Sequence, residues 1–514
     1  IWGFMRMVNR LEVVASIGMG RARVLLAVSL LALAACGGAS KTSDFVPITS
    51  GATDTSALSG DDPTIDWSSC GDNLDCGTLN VPYDYDKPYI GEFTLHITRH
   101  NALDPSRRIG SLLVNPGGPG SEAQFLAEMA TQIYGKAITD FFDIVAWDPR
   151  GTGASTPFID CVDEYDSIPP VDVTPDNQAE HDALVAEAQK FVDDCERNSG
   201  EILPYVSTQA SATDMDTIRR ALGEDKISYF GFSYGSELGA TWATMFPSTV
   251  RAAVLDGAAA VNQTRLDDSL IQIKGFEATF NTFLKRCAGD RSCAFYNNGD
   301  PAGAYDALVR AVDANPVYVT EGRTPVDQAV LETAVSQSMY DSATWFMLEQ
   351  GLADLQNGDG TRILQLNDDY FRRNPDGTYP NLLEAFIAIT CLDDPGETTI
   401  EEVDANVHLY IEAAPRLGAG SARGYTCPLW PVRGPGRIQI TGKGAGPIVV
   451  VGTTGDAATP LGGSRQAAEA LEEGHLITVV ANQHTGYNAN TCVNNAVEDY
   501  LVMLKVPDDG LRCK

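Results

Sequence analysis

Gly231-Phe232-Ser233-Tyr234-Gly235 is a five-residue stretch that could expose a serine hydroxyl on a tight turn. A serine hydroxyl is a weak nucleophile at neutral pH. It needs a base to take its proton and donors to hold the oxyanion that forms as it attacks a carbonyl. In the pattern G-x-S-x-G the serine sits on a strained strand-to-helix turn, and the two glycines leave room for that turn. The run K-I-S-Y-F at 226–230 reads as a strand directly before it, and the residues to about Phe246 read as a helix directly after. Ser233 is therefore the candidate nucleophile. The plain alternative is a helix-start serine that only caps its helix.

The base must be a histidine, and the chain has six. His96 and His100 lie in or beside an early strand, His181 and His408 in charged helical stretches. His475 begins a strand, which places it at the wrong end of a parallel sheet, because sites gather where the strands end. His484, in N-Q-H-T-G-Y, follows the last strand and is the expected base. An acid must orient its imidazole and stabilise the charged form. Asp456, in G-T-T-G-D-A-A-T-P after the run P-I-V-V-V-G, keeps the chain order Ser, Asp, His. Asp256, after R-A-A-V-L-D, is its rival; Asp148 precedes Ser233 and, with Arg150, is expected to brace the neighbouring loop. One oxyanion donor is the N–H of Tyr234. The other is assigned to Gly118 in N-P-G-G-P-G, where glycines let backbone approach a substrate.

These residues need a scaffold that delivers strand ends to one edge. Strand-like runs at 92–98, 110–114, 142–147, 226–230 and 250–255 alternate with helical stretches at 121–135, 179–197 and 211–222. Such alternation predicts an α/β fold with a mostly parallel, doubly wound sheet. Residues 261–430 are largely helical and read as an inserted helical cap domain. Strand signals return at 447–452 and 475–480, with helices at 462–473 and 491–504. The expected organisation is a core in two parts, 63–260 and 431–514, split by the cap.

The N-terminal region reads as an export signal. Arg21 and Arg23 precede an apolar run at 24–35, too short to span a bilayer but suited to a signal peptide. Leu33-Ala34-Ala35-Cys36 resembles a lipobox, so residues 1–36 are read as a signal segment cleaved before Cys36, which is expected to be lipidated and to become the mature N-terminus. Met19 is the expected start of that signal, and residues 37–62 read as a tether rich in Gly, Ser and Thr. Of the 11 cysteines, ten remain after Cys36. They fall in near neighbours: Cys70 and Cys76, Cys161 and Cys195, Cys287 and Cys293, Cys391 and Cys427, Cys492 and Cys513. Five local disulfides are the simplest framework, although spacing alone does not fix connectivity. No Cys/His cluster has zinc spacing, so no metal and no cofactor is expected. A net charge of −33 argues against nucleic-acid binding and fits solubility outside the cell.

N-P-G-G-P-G, D-I-V-A-W-D-P-R-G-T-G-A-S, G-F-S-Y-G-S, D-x-x-T-P and a late histidine together resemble exported serine peptidases of the α/β-hydrolase fold. The resemblance is to the tripeptidyl-aminopeptidase and proline-iminopeptidase type, including envelope lipoproteins of the carboxylesterase-like protease kind. It spans roughly residues 65–514 and is weakest in the cap. It implies cleavage of short peptides from a free N-terminus, or of esters in some members. The glycine loop departs from the pattern by continuing as Ser121-Glu122. An exopeptidase must also bind the substrate α-ammonium, which calls for carboxylates. Asp393, Asp394 and Glu122 are candidates, and Thr459 is a candidate support for the acid loop. A carboxylesterase or lipase with the same three residues is the second reading. A non-catalytic envelope binding lipoprotein is the third. Peptide or ester substrates and a membrane reached only through the lipid anchor are the expected partners.

Overall fold

The computed structural model describes residues 63–162, 165–168 and 171–514; the expected signal, Cys36 and the tether lie outside the described residues. Ten strands form one sheet: β1 (Asp66–Gly71), β2 (Leu74–Pro82), β3 (Glu92–His100), β4 (Gly110–Asn115), β5 (Phe142–Trp147), β6 (Ile227–Phe232), β7 (Val250–Asp256), β8 (Ile448–Thr453), β9 (Gly474–Val479) and β10 (Arg512–Cys513). Their spatial order is β1-β2-β3-β5-β4-β6-β7-β8-β9-β10. The β1–β2, β2–β3 and β3–β5 pairings are antiparallel. All the others are parallel.

β4, β5, β6 and β8 are buried at every position. Helices cover both faces, so these strands have no polar side to alternate with. Side chains still part by twos along each strand. Tyr229 and Val450 join one apolar cluster, with Trp242 and Leu238. Phe230 and Val451 join another, with Tyr487 and Val497. This is the mostly parallel, doubly wound sheet of an α/β-hydrolase fold.

Between β7 and β8 the chain is helical, with long helices Arg265–Gly289, Pro301–Ala314, Gln328–Met339, Trp345–Gln356, Thr361–Phe371, Leu382–Asp393 and Ile400–Ala413. Most of them share an apolar cluster that includes Phe280, Leu331, Leu348 and Leu352 and takes in Ala457 and Ala458 from the loop after β8, whereas Leu382–Asp393 packs through Ala388, Ile389 and Leu392 into the cluster under the sheet. The loop after β5 is tied to these helices. Asp166 accepts from Arg323 Nε at 3.0 Å and Arg373 Nη2 at 2.8 Å. Glu384 accepts from Cys161 N and Tyr165 Oη. No helix among the described residues is long and apolar enough to cross a membrane.

Two expectations change. The stretch 121–135 is not one helix but short turns, Phe125–Glu128 and Ala130–Ile133, followed by the helix Lys136–Phe141. The Ala123 N–H is taken by Asp148 Oδ1 at 2.7 Å, and Met129 leaves helical geometry, so no continuous ladder forms. Arg150 does not brace the loop with Asp148. It turns away to Asp214, with Nε–Oδ2 at 2.8 Å and Nη2–Oδ1 at 2.5 Å, and donates from Nη1 to the carbonyls of Tyr83 and Tyr205. Both side chains are fully buried. Removing one member of such a pair leaves an uncompensated buried charge, so Asp214→Ala is expected to cost about 3–5 kcal/mol. A lowered urea midpoint with unchanged slope checks this.

The sulfurs of Cys70–Cys76, Cys161–Cys195, Cys287–Cys293, Cys391–Cys427 and Cys492–Cys513 lie at bonding distance. The fourth pair joins the end of the helix Leu382–Asp393 to the turn Thr426–Leu429.

Candidate active site

Ser233 stands between β6 and the helix Tyr234–Met245 with φ 56° and ψ −127°. That left-handed conformation is costly for a residue with a Cβ, and it persists only where surrounding structure enforces it. The enforcement is visible. Ser233 N donates to the Asp256 carbonyl at 2.8 Å, and Ser236 N donates back to the Ser233 carbonyl at 2.8 Å. A Cβ on Gly231 would collide with the Gly235 carbonyl, and one on Gly235 would lie 2.8 Å from the Asn115 carbonyl. Gly117 approaches from the other side: its own Cβ would lie 2.5 Å from the Phe232 carbonyl and 2.9 Å from Ser233 Cβ.

His484 and Asp456 come together past the ends of β9 and β8. His484 Nδ1 is 2.9 Å from both Asp456 Oδ1 and Oδ2. A carboxylate can only accept, so Nδ1 carries the proton and Nε2 is left as the basic atom. His484 Nε2 is buried with no hydrogen-bond partner, and His484 and Ser233 line the same cavity. Asp456 also accepts from Ala458 N, Thr459 N, Thr459 Oγ1 and Thr485 N. Thr459 Oγ1 lies 3.2 Å from His484 Nδ1 as well, so Thr459 touches both members of the pair.

The helical segment between β7 and β8 holds the histidine loop on one side. The Tyr340 carbonyl accepts from His484 N at 2.7 Å, its ring meets the imidazole edge-on at 5.4 Å, and Ser342 N donates to the Asn482 carbonyl at 3.1 Å. Asp256 accepts from Gly486 N at 2.6 Å and Tyr487 N at 2.7 Å. The rival acid is thus bound to the loop backbone, not to the imidazole. Among the other histidines, His475 faces Asp509 at 3.0 Å and His181 faces Asp404 at 3.1 Å, both away from Ser233.

For the oxyanion, Tyr234 N opens a helix, where N–H groups have no partner within the helix. Gly117 N is already given to Asn115 Oδ1 at 2.9 Å, whereas Gly118 borders the cavities on both sides of Ser233. Asp148 accepts from Ala123 N and Ala154 N and so fastens the segment after the glycine loop.

Ser233 opens onto two cavities. One carries Glu237, Asp268, Asp393 and Thr459 together with Arg265 and Arg437. Arg437 Nε lies 3.1 Å from Glu237, and its Nη atoms lie 3.9 Å from Asp268 and from Asp394. Three carboxyl groups therefore line this cavity with two guanidinium groups, and Asp394 meets Arg437 without lining it. Arg265 is partly engaged elsewhere, donating from Nη1 to the Asp394 carbonyl. Burial pushes Asp268 up to about 6 and Asp393 up to about 7. Asp393 also accepts from Thr208 N at 2.9 Å and Thr208 Oγ1 at 2.5 Å, and that hydroxyl touches the Tyr234 hydroxyl. Glu122 is elsewhere, 3.8 Å from Arg372, its carboxyl raised by burial.

Glu237, Asp268 and Arg437 were not expected at the site. Glu237 had a signal: it lies four residues after Ser233, one helical turn on, where side chains stack on the same face. Asp268 and Arg437 come from distant segments with no local pattern to mark them.

Comparison with known proteins agrees with this architecture. Residues 110–334 match the family described as alpha/beta hydrolase fold, and residues 414–513 match the family described as TAP-like protein. The chain is 34% identical over 461 residues to serine protease Hip1 of Mycobacterium tuberculosis, covering 85% of this chain and 87% of that protein. It is 34% identical over 475 residues to carboxylesterase B of Mycobacterium tuberculosis, covering 88% and 90%. It is 31% identical over 468 residues to tripeptidyl aminopeptidase of Streptomyces lividans, covering 87% and 86%.

Proposed function

The chain belongs to the α/β-hydrolase family of serine hydrolases, and from that premise we propose that it is an exported exopeptidase releasing short peptides from free N-termini. Export through the 1–36 signal and anchoring through Cys36 are part of the proposal. Ser233 Oγ attacks the carbonyl carbon as His484 Nε2 takes its proton. Tyr234 N and Gly118 N hold the oxyanion. The C–N bond then breaks as Nε2 returns that proton to the leaving nitrogen. Water, deprotonated by the same atom, attacks the acyl-serine and regenerates the hydroxyl. Asp456 keeps the imidazole in the required tautomer throughout.

The observation that carries the peptide reading is the carboxylate-rich cavity beside Ser233. Three carboxyl groups line it against two guanidinium groups, which leaves one negative charge to spare when all are ionised and suits an α-ammonium. Glu237 and Asp268 join Asp393 as its expected ligands, while Asp394 does not line the cavity.

The charge should titrate. A carboxyl raised to about 7 or about 6 is neutral below that pH and no longer attracts a cation. KM for a free-N-terminal peptide arylamide is therefore expected to rise about tenfold as pH falls from about 8 to about 5. KM for an aryl ester lacking an amine should stay nearly flat. Equal rises for both substrates would remove the acids from substrate binding.

A carboxylesterase is the second reading, favoured by the apolar cavity on the other side of Ser233. Peptide arylamides with free and acetylated N-termini, run beside aryl esters, separate the two. The proposal expects the free amines to be turned over and the acetylated ones to fail. Equal turnover of both would overturn it.

A further inference from the structure

We propose that the second cavity at Ser233 is a subsite for an apolar side chain on the leaving fragment, the residue just after the scissile bond. This rests on the peptidase reading and adds the other half of the substrate. The cavity holds about 150 Å³ and is walled by Tyr340, Tyr370, Phe371, Leu382, Leu383 and Phe386. Its charged member, Arg372, lies 3.8 Å from Glu122.

The assignment to the leaving side follows from the proton. His484 Nε2 has to protonate the departing nitrogen, so that nitrogen must lie against His484. His484 lines this cavity and not the acidic one. The fragment that keeps the free N-terminus is drawn the other way, toward Glu237 and Asp268, which line the acidic cavity and not the apolar one. Phe386 and Gly118 border both cavities, so the scissile bond crosses there. The two cavities thus divide a peptide by chemistry, a cationic end on one side and an apolar side chain on the other.

Exposure supports the same occupant. Phe386, on the wall of this cavity, is 40% exposed, and Leu382 and Leu383 beside it are half-buried. It shares a helix with Leu382 and Leu383 at spacings of four and three, so the three side chains form one continuous wall. A wall of this kind is stabilised when an apolar group covers it.

The test uses peptides with a free N-terminus that differ only in the residue after the scissile bond: Leu, Phe, Gly or Asp. Leu and Phe are expected to exceed Gly and Asp in kcat/KM by about tenfold or more, the scale set by apolar pockets. Leu383→Asp should bring the ratio of Leu to Gly close to one. Phe371→Ala, which removes bulk without adding charge, serves as the second variant if the first does not fold, and should lower the same ratio. A flat series in the wild type, or a ratio untouched by both variants, overturns the subsite. The acetylated series runs in parallel. If it is cleaved as fast as the free series, N-terminal recognition falls, while the preference after the scissile bond is still read in both series.

Discussion

Ser233→Ala is expected to lower kcat about a millionfold, since removing the nucleophile of such a set costs nearly as much as removing the whole set. Labelling by a fluorophosphonate probe should vanish with it. The fold should not suffer. Alanine keeps the Cβ and pays the same cost at φ 56° as serine does. The bonds that enforce this turn use the Ser233 backbone, not the hydroxyl. Ser233→Gly separates the two effects: it should be equally inactive yet more stable by about 1 kcal/mol, because glycine relieves the left-handed strain. Turnover of aryl esters and peptide arylamides, with the thermal midpoint of each variant, checks both statements. Retained turnover in Ser233→Ala would move the nucleophile elsewhere and disqualify the non-enzymatic reading at the same time.

The elements around Ser233 are legible in the sequence because their signals are local. β4, β5, β6, β7 and β8 are short apolar runs that stop at glycine, proline or aspartate, and each lies within two residues of its expected bounds. What does not show is equally physical. β1 is an edge strand with the polar sequence D-W-S-S-C-G and mostly exposed positions, so it has no apolar period to detect. β10 is two residues long and is placed beside Cys492 through Cys513. The short turns after the glycine loop depend on Asp148, 25 residues away, capturing Ala123 N. The same distinction holds in the site. Ser233, Asp456 and His484 are proposed from strand ends and chain order, and the fold sets His484 against Asp456 and beside Ser233. The acidic cavity draws Glu237, Asp268, Asp393 and Arg437 from four segments, and only the folded chain makes them neighbours.

The two carboxylates near His484 give the sharpest comparison. Asp456 touches the imidazole with both oxygens at 2.9 Å and is nearly buried, at 4% exposed. Asp256 holds only the backbone of the same loop, at Gly486 N and Tyr487 N. Asp456→Asn offers an amide N–H where an acceptor is needed. The imidazole then places its proton on Nε2, the atom that must receive one from Ser233. A loss of about 10⁴ in kcat is expected, with KM little changed. Asp256→Asn leaves the tautomer alone. It presents an N–H to one of two backbone N–H groups, loosens the loop, and should cost less, about tenfold to a hundredfold, since a small misplacement of the base is enough. If Asp256→Asn were instead the more damaging of the two, the acid would have to be reassigned to the end of β7, and the contacts Asp456 makes with Thr459 and Thr485 would be a structural knot beneath the histidine.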